Sequence, residues 1–256
     1  MFERLQAVTV IVALFLFWEV MAGALDVPAF ILPLPSAIIL DIWNNLGWYG
    51  MHTLYTAWAC LLGFAMAVVV GVLASIGIVY SRILEATLYT VLVSLNSIPK
   101  IALAPLFIIW MGTNLSSKVA ISMLIALFPV VIDTVLGLRS VDSETLSMAR
   151  SMRASPVQVL MKIRFPGALP SIFAGMKVAI SLALVGAIAG EFVASQVGLG
   201  YVILTAQGMF QITRVFAAIV LLGALGTLFF YLVSLAERLA VPWHVSQRNE
   251  AGIPAQ

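Results

Sequence analysis

Residues 53–79 read TLYTAWACLLGFAMAVVVGVLASIGIV, a run without one charged side chain. In hydrocarbon such a run suits an α-helix, because lipid offers no partner to a free backbone N–H or C=O and a helix satisfies its own. About 20 mainly apolar residues cross a bilayer. Working outward, further stretches meet that length: Leu5–Leu25 before it, then Ile83–Met111, Val119–Leu138, Ser171–Phe192 and Val215–Ala236 after it. Composition agrees, since 62% of the 256 residues are hydrophobic and 9% charged, where soluble domains average roughly 45 to 50% and about 25%. The reading is an all-α membrane protein with six transmembrane helices. Residues 1–256 form a single domain in this reading, as no polar or Pro/Gly/Ser-rich linker separates two globular units. The first stretch has a second reading as a secretory signal, because it follows Arg4 and ends in Ala22, Gly23 and Ala24. Glu3, which balances Arg4, and Glu19, just before that end, speak against it.

Lysine and arginine set the orientation, being retained on the inner side of the membrane. Arg4, Arg82, Arg139, Arg150, Arg153, Lys162, Arg164, Lys177, Arg238 and Arg248 fall at or near one set of span ends, while Lys118 and Arg214 flank the other. Both termini are therefore expected in the cytoplasm. Asp26–His52 then lies outside, with Trp43, Trp48 and Tyr49 suited to the headgroup layer. Residues 139–170, between spans four and five, form the one long cytoplasmic loop.

That loop contains SETLSMARSMRASPVQVLMKI over residues 143–163, with apolar positions three and four apart and a break near Pro156. This pattern predicts two short amphipathic helices. Ser155 and Pro156 fit the N-cap and first position of the second, and Pro166 and Pro170 are expected to stop it before the next span. Two uses remain open on pattern alone: a surface helix whose cations touch anionic lipid, or a docking site in which the small Ala149 lets a partner approach.

The spacing of Ala149, Ile163 and Pro166 resembles the cytoplasmic signature of the membrane subunits of ABC importers, a Glu-Ala-Ala cluster followed by Gly, Ile and Pro at fixed intervals. Here Ser147 and Met148 stand at the Glu and first Ala positions, and Arg153 stands at the Gly. The segments NSIPKIALAPLFIIWMG (96–112), FPGALPSIFAGMKVAI (165–180), GEFVASQVGLGYVI (190–203) and RLAVPW (238–243) resemble the nitrate, sulfonate and taurine class of these permeases. The resemblance implies that the loop is a coupling helix seated on an ATP-binding subunit, with Ser147, Met148, Ala149, Arg150, Arg153, Ala154, Ser155, Ile163 and Pro166 at the contact. It also implies a homodimer, two ATP-binding subunits, an extracytoplasmic solute-binding protein and a bacterial inner-membrane location. The solute it implies is a small organic or inorganic anion such as a sulfonate, taurine or nitrate, the alternative being a vitamin-precursor-type solute.

Charges inside spans are costly, about 2.5 to 3.5 kcal/mol at a helix centre on insertion scales. Lys100 follows Pro99 midway along Ile83–Met111, where proline should kink or break the helix. It either faces the translocation path and favours anions, or snorkels to the headgroups. Asn96, Lys100, Asp133 and Glu191 are the candidates for the path. Gly198, Leu199 and Gly200 suggest a short outer re-entrant or gate segment after Glu191.

Other chemistry finds no support in the sequence. There is no H-E-x-x-H, G-x-S-x-G or paired cysteine motif, and no G-x-x-x-x-G-K-[ST] loop to cradle phosphates. Catalytic residues, cofactors and metal are therefore not expected, and ATP hydrolysis falls to a partner. His52 and His244 are read as interfacial residues and Cys60 as a small buried one. A net charge of +2 gives no reason to expect nucleic acid. A self-contained carrier or channel is disfavoured by the lack of a convincing internal repeat.

Overall fold

A computed structural model describes residues 2–89, 91, 94 and 98–242. The described residues contain helices and no strands. In chain order the helices are α1 (Phe2–Ala24), α2 (Pro35–Asn44), α3 (Leu46–Tyr80), α4 (Ala104–Met111), α5 (Leu115–Arg139), α6 (Ser143–Ser151), α7 (Pro156–Val159), α8 (Phe165–Val193), α9 (Leu199–Gly208) and α10 (Ile212–Ala240). Four described helices are long and apolar enough to cross a bilayer: Leu46–Tyr80, Leu115–Arg139, Pro156–Val193 and Ile212–Ala240. Val12–Ala24 and Lys100–Met111 are apolar but shorter.

The stretch expected as the third span is discontinuous. Arg82–Leu84 forms one α-turn, Glu85–Tyr89 a π-turn, and after a bend at Ile98 and non-helical Pro99 a 3-10 turn covers Lys100–Leu103 before α4. The break falls at the proline, as its missing N–H requires.

The prolines at 166 and 170 behave differently from expectation. Helix runs on from Pro156 to Val193, and Pro170 lies inside α8. The connection is a π-turn at Leu160–Arg164. Pro166 falls in the first turn of α8, where a missing N–H is tolerated, and Pro170 costs the helix one hydrogen bond without ending it.

The chain forms two compact units. The first comprises Met1–Thr56 and Ser195–Leu225. Its core gathers Ile38, Tyr49, Leu199, Val202, Ala217 and Ala218, with Trp18 and Phe216 against it. Glu19 of α1 accepts from the Ser36 N–H (3.0 Å) and hydroxyl (2.6 Å), placing a carboxylate at the first turn of α2. Tyr49 and His52, expected at the headgroup layer, are buried instead. Each has its polar atom satisfied inside the protein: the Tyr49 hydroxyl donates to Asp41 Oδ2 (2.5 Å), and His52 Nδ1 accepts from the Gly198 N–H (3.0 Å). Thr56 Oγ1 accepts from the Leu199 N–H (2.9 Å). The α3 side chains thus serve two free N–H groups at the start of α9. Gly198, at φ 116°, makes the turn that leads into it.

The second unit comprises Ala57–Ala194 and Gly226–Gln256. Here α5 lies against both α3 and α8 at backbone distance. A Cβ on Gly63 would stand 2.5 Å from Ser122 Cβ, and one on Gly186 would stand 2.7 Å from Ser122 Cα. Small residues are the usual means of helix association in lipid, where burial of apolar surface supplies no drive. Hydroxyls add polar links between these helices: Ser122 donates to the Ala183 carbonyl (2.8 Å) and Ser75 to that of Val131 (3.1 Å).

Candidate functional site

The segment between α5 and α8 carries the residues that resemble the importer signature. α6 follows Asp142, with Glu144 in its first turn and Arg150 in its last, an arrangement that complements the helix dipole. Its end is a tight reversal. The Ala154 N–H reaches back to the Ala149 carbonyl (3.0 Å) and the Arg153 N–H to that of Arg150 (2.9 Å), with Arg153 at φ 56°. These paired bonds define a Schellman motif, whose left-handed position most often holds glycine. The next residues begin α7: Ser155 Oγ accepts from the Gln158 N–H (3.3 Å), and Gln158 Oε1 accepts from the Ser155 N–H (2.8 Å), closing a capping box ahead of Pro156.

These two helix ends fix which side chains face out. Met148, Met152, Val157 and Met161 are 60%, 74%, 68% and 60% exposed. Ser147, Arg150, Arg153 and Ser155 are exposed beside them, whereas Ala154, Ile163 and Pro166 are half-buried. Ala149 is buried. Its small side chain packs within the chain, and the surface offered by α6 consists of Ser143, Glu144, Ser147, Met148, Arg150 and Ser151.

The candidates for the path sit in different surroundings. The Lys100 ammonium lies 5.1 Å from the centre of the Phe128 ring, a cation–π contact on α5. Asp133 is half-buried against α8, where a Cβ on Gly175 would stand 2.8 Å from its own. Glu191 is buried near the end of α8, close enough to Lys118 for their charges to interact. Asn96 lies outside the described residues, as does His244.

Lys118 is the residue that sequence reasoning missed. A lysine just inside a helix start looks like an interfacial anchor, yet this one is fully buried. Its ammonium donates to the carbonyl of Thr113 and to that of Ala194 (2.7 Å), the C-cap of α8. Gly190 makes room, since a Cβ there would stand 3.1 Å from Lys118 Cγ. Lys118 and Glu191 together place a charged pair between α5 and α8, with the cation at a helix C-terminus that favours it.

A family model described as binding-protein-dependent transport system inner membrane component matches residues 63–240. The riboflavin transport system permease protein RibX of Chloroflexus aurantiacus is 37% identical over 235 residues, 91% of this chain and 88% of that protein. The formylaminopyrimidine transport permease protein ThiX of Halalkalibacterium halodurans is 31% identical over 249 residues, 96% of this chain and 98% of its own length. A permease named for aliphatic sulfonates, SsuC of Bacillus subtilis, is 33% identical over 231 residues, 90% of this chain and 84% of that protein, and permeases named for taurine and nitrate match at 27% and 29%. Among solved structures, a chain of the MetNI methionine ABC transporter in inward-facing conformations aligns with a TM-score of 0.61 at 21% identity. It covers 78% of this chain and 97% of that one, which makes the fold of the two alike. On this family match and these relatives, the chain belongs to the binding-protein-dependent transport system inner membrane components, as an ABC importer permease of the nitrate, sulfonate and taurine class.

Proposed function

We propose that the chain crosses the membrane six times, the four long helices being joined by α1 and by the discontinuous segment 82–111. Both termini and the α6–α7 loop then lie in the cytoplasm, in keeping with the lysine and arginine distribution. The loop seats on an ATP-binding subunit, and two copies of the chain with two such subunits and an extracytoplasmic solute-binding protein make the importer. Residues 1–256 act as one permease domain, and ATP is hydrolysed by the partner.

One observation carries the docking reading: Met148, Met152, Val157 and Met161 are exposed together with Arg150 and Arg153 along the α6–α7 loop, on its two short helices, the reversal between them and the π-turn that follows. Methionine adapts its shape to a partner surface, and arginine pairs with carboxylates at an interface rim. In this account Ser147, Met148, Arg150, Arg153 and Ser155 meet the partner, while Ala149, Ala154, Ile163 and Pro166 hold the loop in shape. The test replaces Met152 by Asp and measures recovery of the ATP-binding subunit when this chain is purified from membranes. Recovery should fall at least fivefold with the amount of inserted chain unchanged; equal recovery overturns the docking role.

For the solute, Lys100 and its place after the helix break support a small anion, such as a sulfonate, taurine or nitrate, moving past Asn96, Lys100, Asp133 and Glu191. A second reading, a vitamin-precursor heterocycle, is favoured by the riboflavin and formylaminopyrimidine permeases that match over nine-tenths of this chain or more. Uptake of labelled taurine and of labelled riboflavin by the reconstituted importer separates the two.

A further inference from the structure

The α6–α7 loop is held to the rest of its unit by a small group of residues just inside the surface described above. The guanidinium of Arg164, last residue of the π-turn, lies 5.7 Å from the centre of the Tyr80 ring at the end of α3. Its terminal nitrogen donates to the carbonyl of Leu138 (3.3 Å). That carbonyl belongs to the last turn of α5, where the helix leaves its acceptors without partners and favours a cation. The Tyr80 hydroxyl in turn donates to the carbonyl of Pro156, the first residue of α7 (3.3 Å). Leu160 packs below with Val72, Ile76 and Val79 of α3, Leu138 of α5, and Ala168 and Ile172 of α8. Arg139, beside Leu138, pairs with Glu85 (2.7 Å).

One side chain therefore touches the ends of two long helices at the point where loop becomes span. The π-turn that carries it is the only part of Pro156–Val193 outside regular α geometry among the described residues, and such turns are local weak points in a helix. A rigid loop joined to a rigid span through a soft turn would pivot there and leave the span at rest. Contacts that cross the turn prevent this, because they make loop, α3 and α5 move together.

We propose that Arg164 is a positioning residue for energy coupling: held by Tyr80 and the Leu138 carbonyl, it braces the π-turn so that displacement of the α6–α7 loop is delivered to α3, α5 and α8. Arg164 faces inward and forms no part of the docking face. The inference rests on the permease reading given above and adds to it where the motion is handed over.

The test uses the whole complex with its ATP-binding subunit in lipid vesicles, in a Cys60→Ser background. Cys60 is the sole cysteine, so Phe192→Cys, at an exposed position near the end of α8, then carries one nitroxide per copy. The readouts are the rate of MgATP hydrolysis and the change in nitroxide separation on adding MgATP with vanadate. In Arg164→Gln the hydrolysis rate should stay above half that of the parent while the change in separation shrinks at least threefold, with Arg164→Lys between the two. A full change in Arg164→Gln overturns the proposal, and so does loss of hydrolysis and movement in equal proportion, which is what a merely structural residue would give. Should Arg164→Gln not assemble, Tyr80→Leu, at an exposed site, is judged by the same two criteria. A parent complex that neither hydrolyses ATP nor moves counts against the importer reading itself.

Discussion

Arg153 holds φ at 56° to close the end of α6, a conformation that costs an L-residue with a Cβ about 1 to 2 kcal/mol. The resembled signature has glycine there, and the Schellman bonds supply the reason: the backbone must turn left-handed whichever side chain is present. The departure at Arg153 therefore keeps the turn and adds a cation to the exposed face. Arg153→Gly should raise stability by about 1 kcal/mol, read as a higher midpoint for thermal unfolding in detergent or slower cleavage of the loop by protease; an unchanged or lower midpoint refutes the strain. Lys118 gives the opposite lesson about legibility. Its acceptor on Ala194 lies 76 residues away, so nothing near it in sequence distinguishes a buried lysine from an anchor at the headgroups. His52 was hidden for the same reason, its partner lying 146 residues on.

At the scale of the element, long helices were legible because hydrocarbon imposes a minimum run of apolar residues. The break at Pro99 was legible too, since a lost hydrogen bond is a local event. Continuity past Pro166 and Pro170 was not, because no motif in the sequence marks the π-turn at Leu160–Arg164, and whether a helix runs on past a proline depends on neighbours distant in sequence, such as Val72, Ile76 and Leu138 around Leu160. Likewise, glycine in a span signals close approach without naming the neighbour. In the structure Gly186 of α8 lies against the Ser122 backbone of α5, so Gly186→Leu must part the two helices. Overpacking of this kind typically costs about 1 to 3 kcal/mol, and here it should also break the Ser122 to Ala183 bond. A lower yield of folded chain and a lower unfolding midpoint in detergent are expected, and wild-type stability would show that the helices are not so close in the membrane.

For the whole molecule, the expected orientation rests on the asymmetry of lysine and arginine between span ends, whereas the surfaces open to a partner depend on the fold. Ala149 shows the difference, being a contact residue by its place in the signature and a buried one in the fold. The six-span topology predicts that fusions of a fluorescent reporter after Arg238 glow and that alkaline phosphatase fused at the same point is inactive, with the reverse for fusions at Asp26. A phosphatase-positive C-terminus would remove the loop from the cytoplasm and with it the proposed docking.

The capping box that starts α7 has its donors and acceptors within four consecutive residues, Ser155 to Gln158. Its helical shape is thus set by bonds internal to the loop, and a protein that binds there meets a template already folded. Little conformational freedom is left to lose at the encounter, so association should be governed by diffusion and charge steering, and the lifetime of the complex by the methionine contacts.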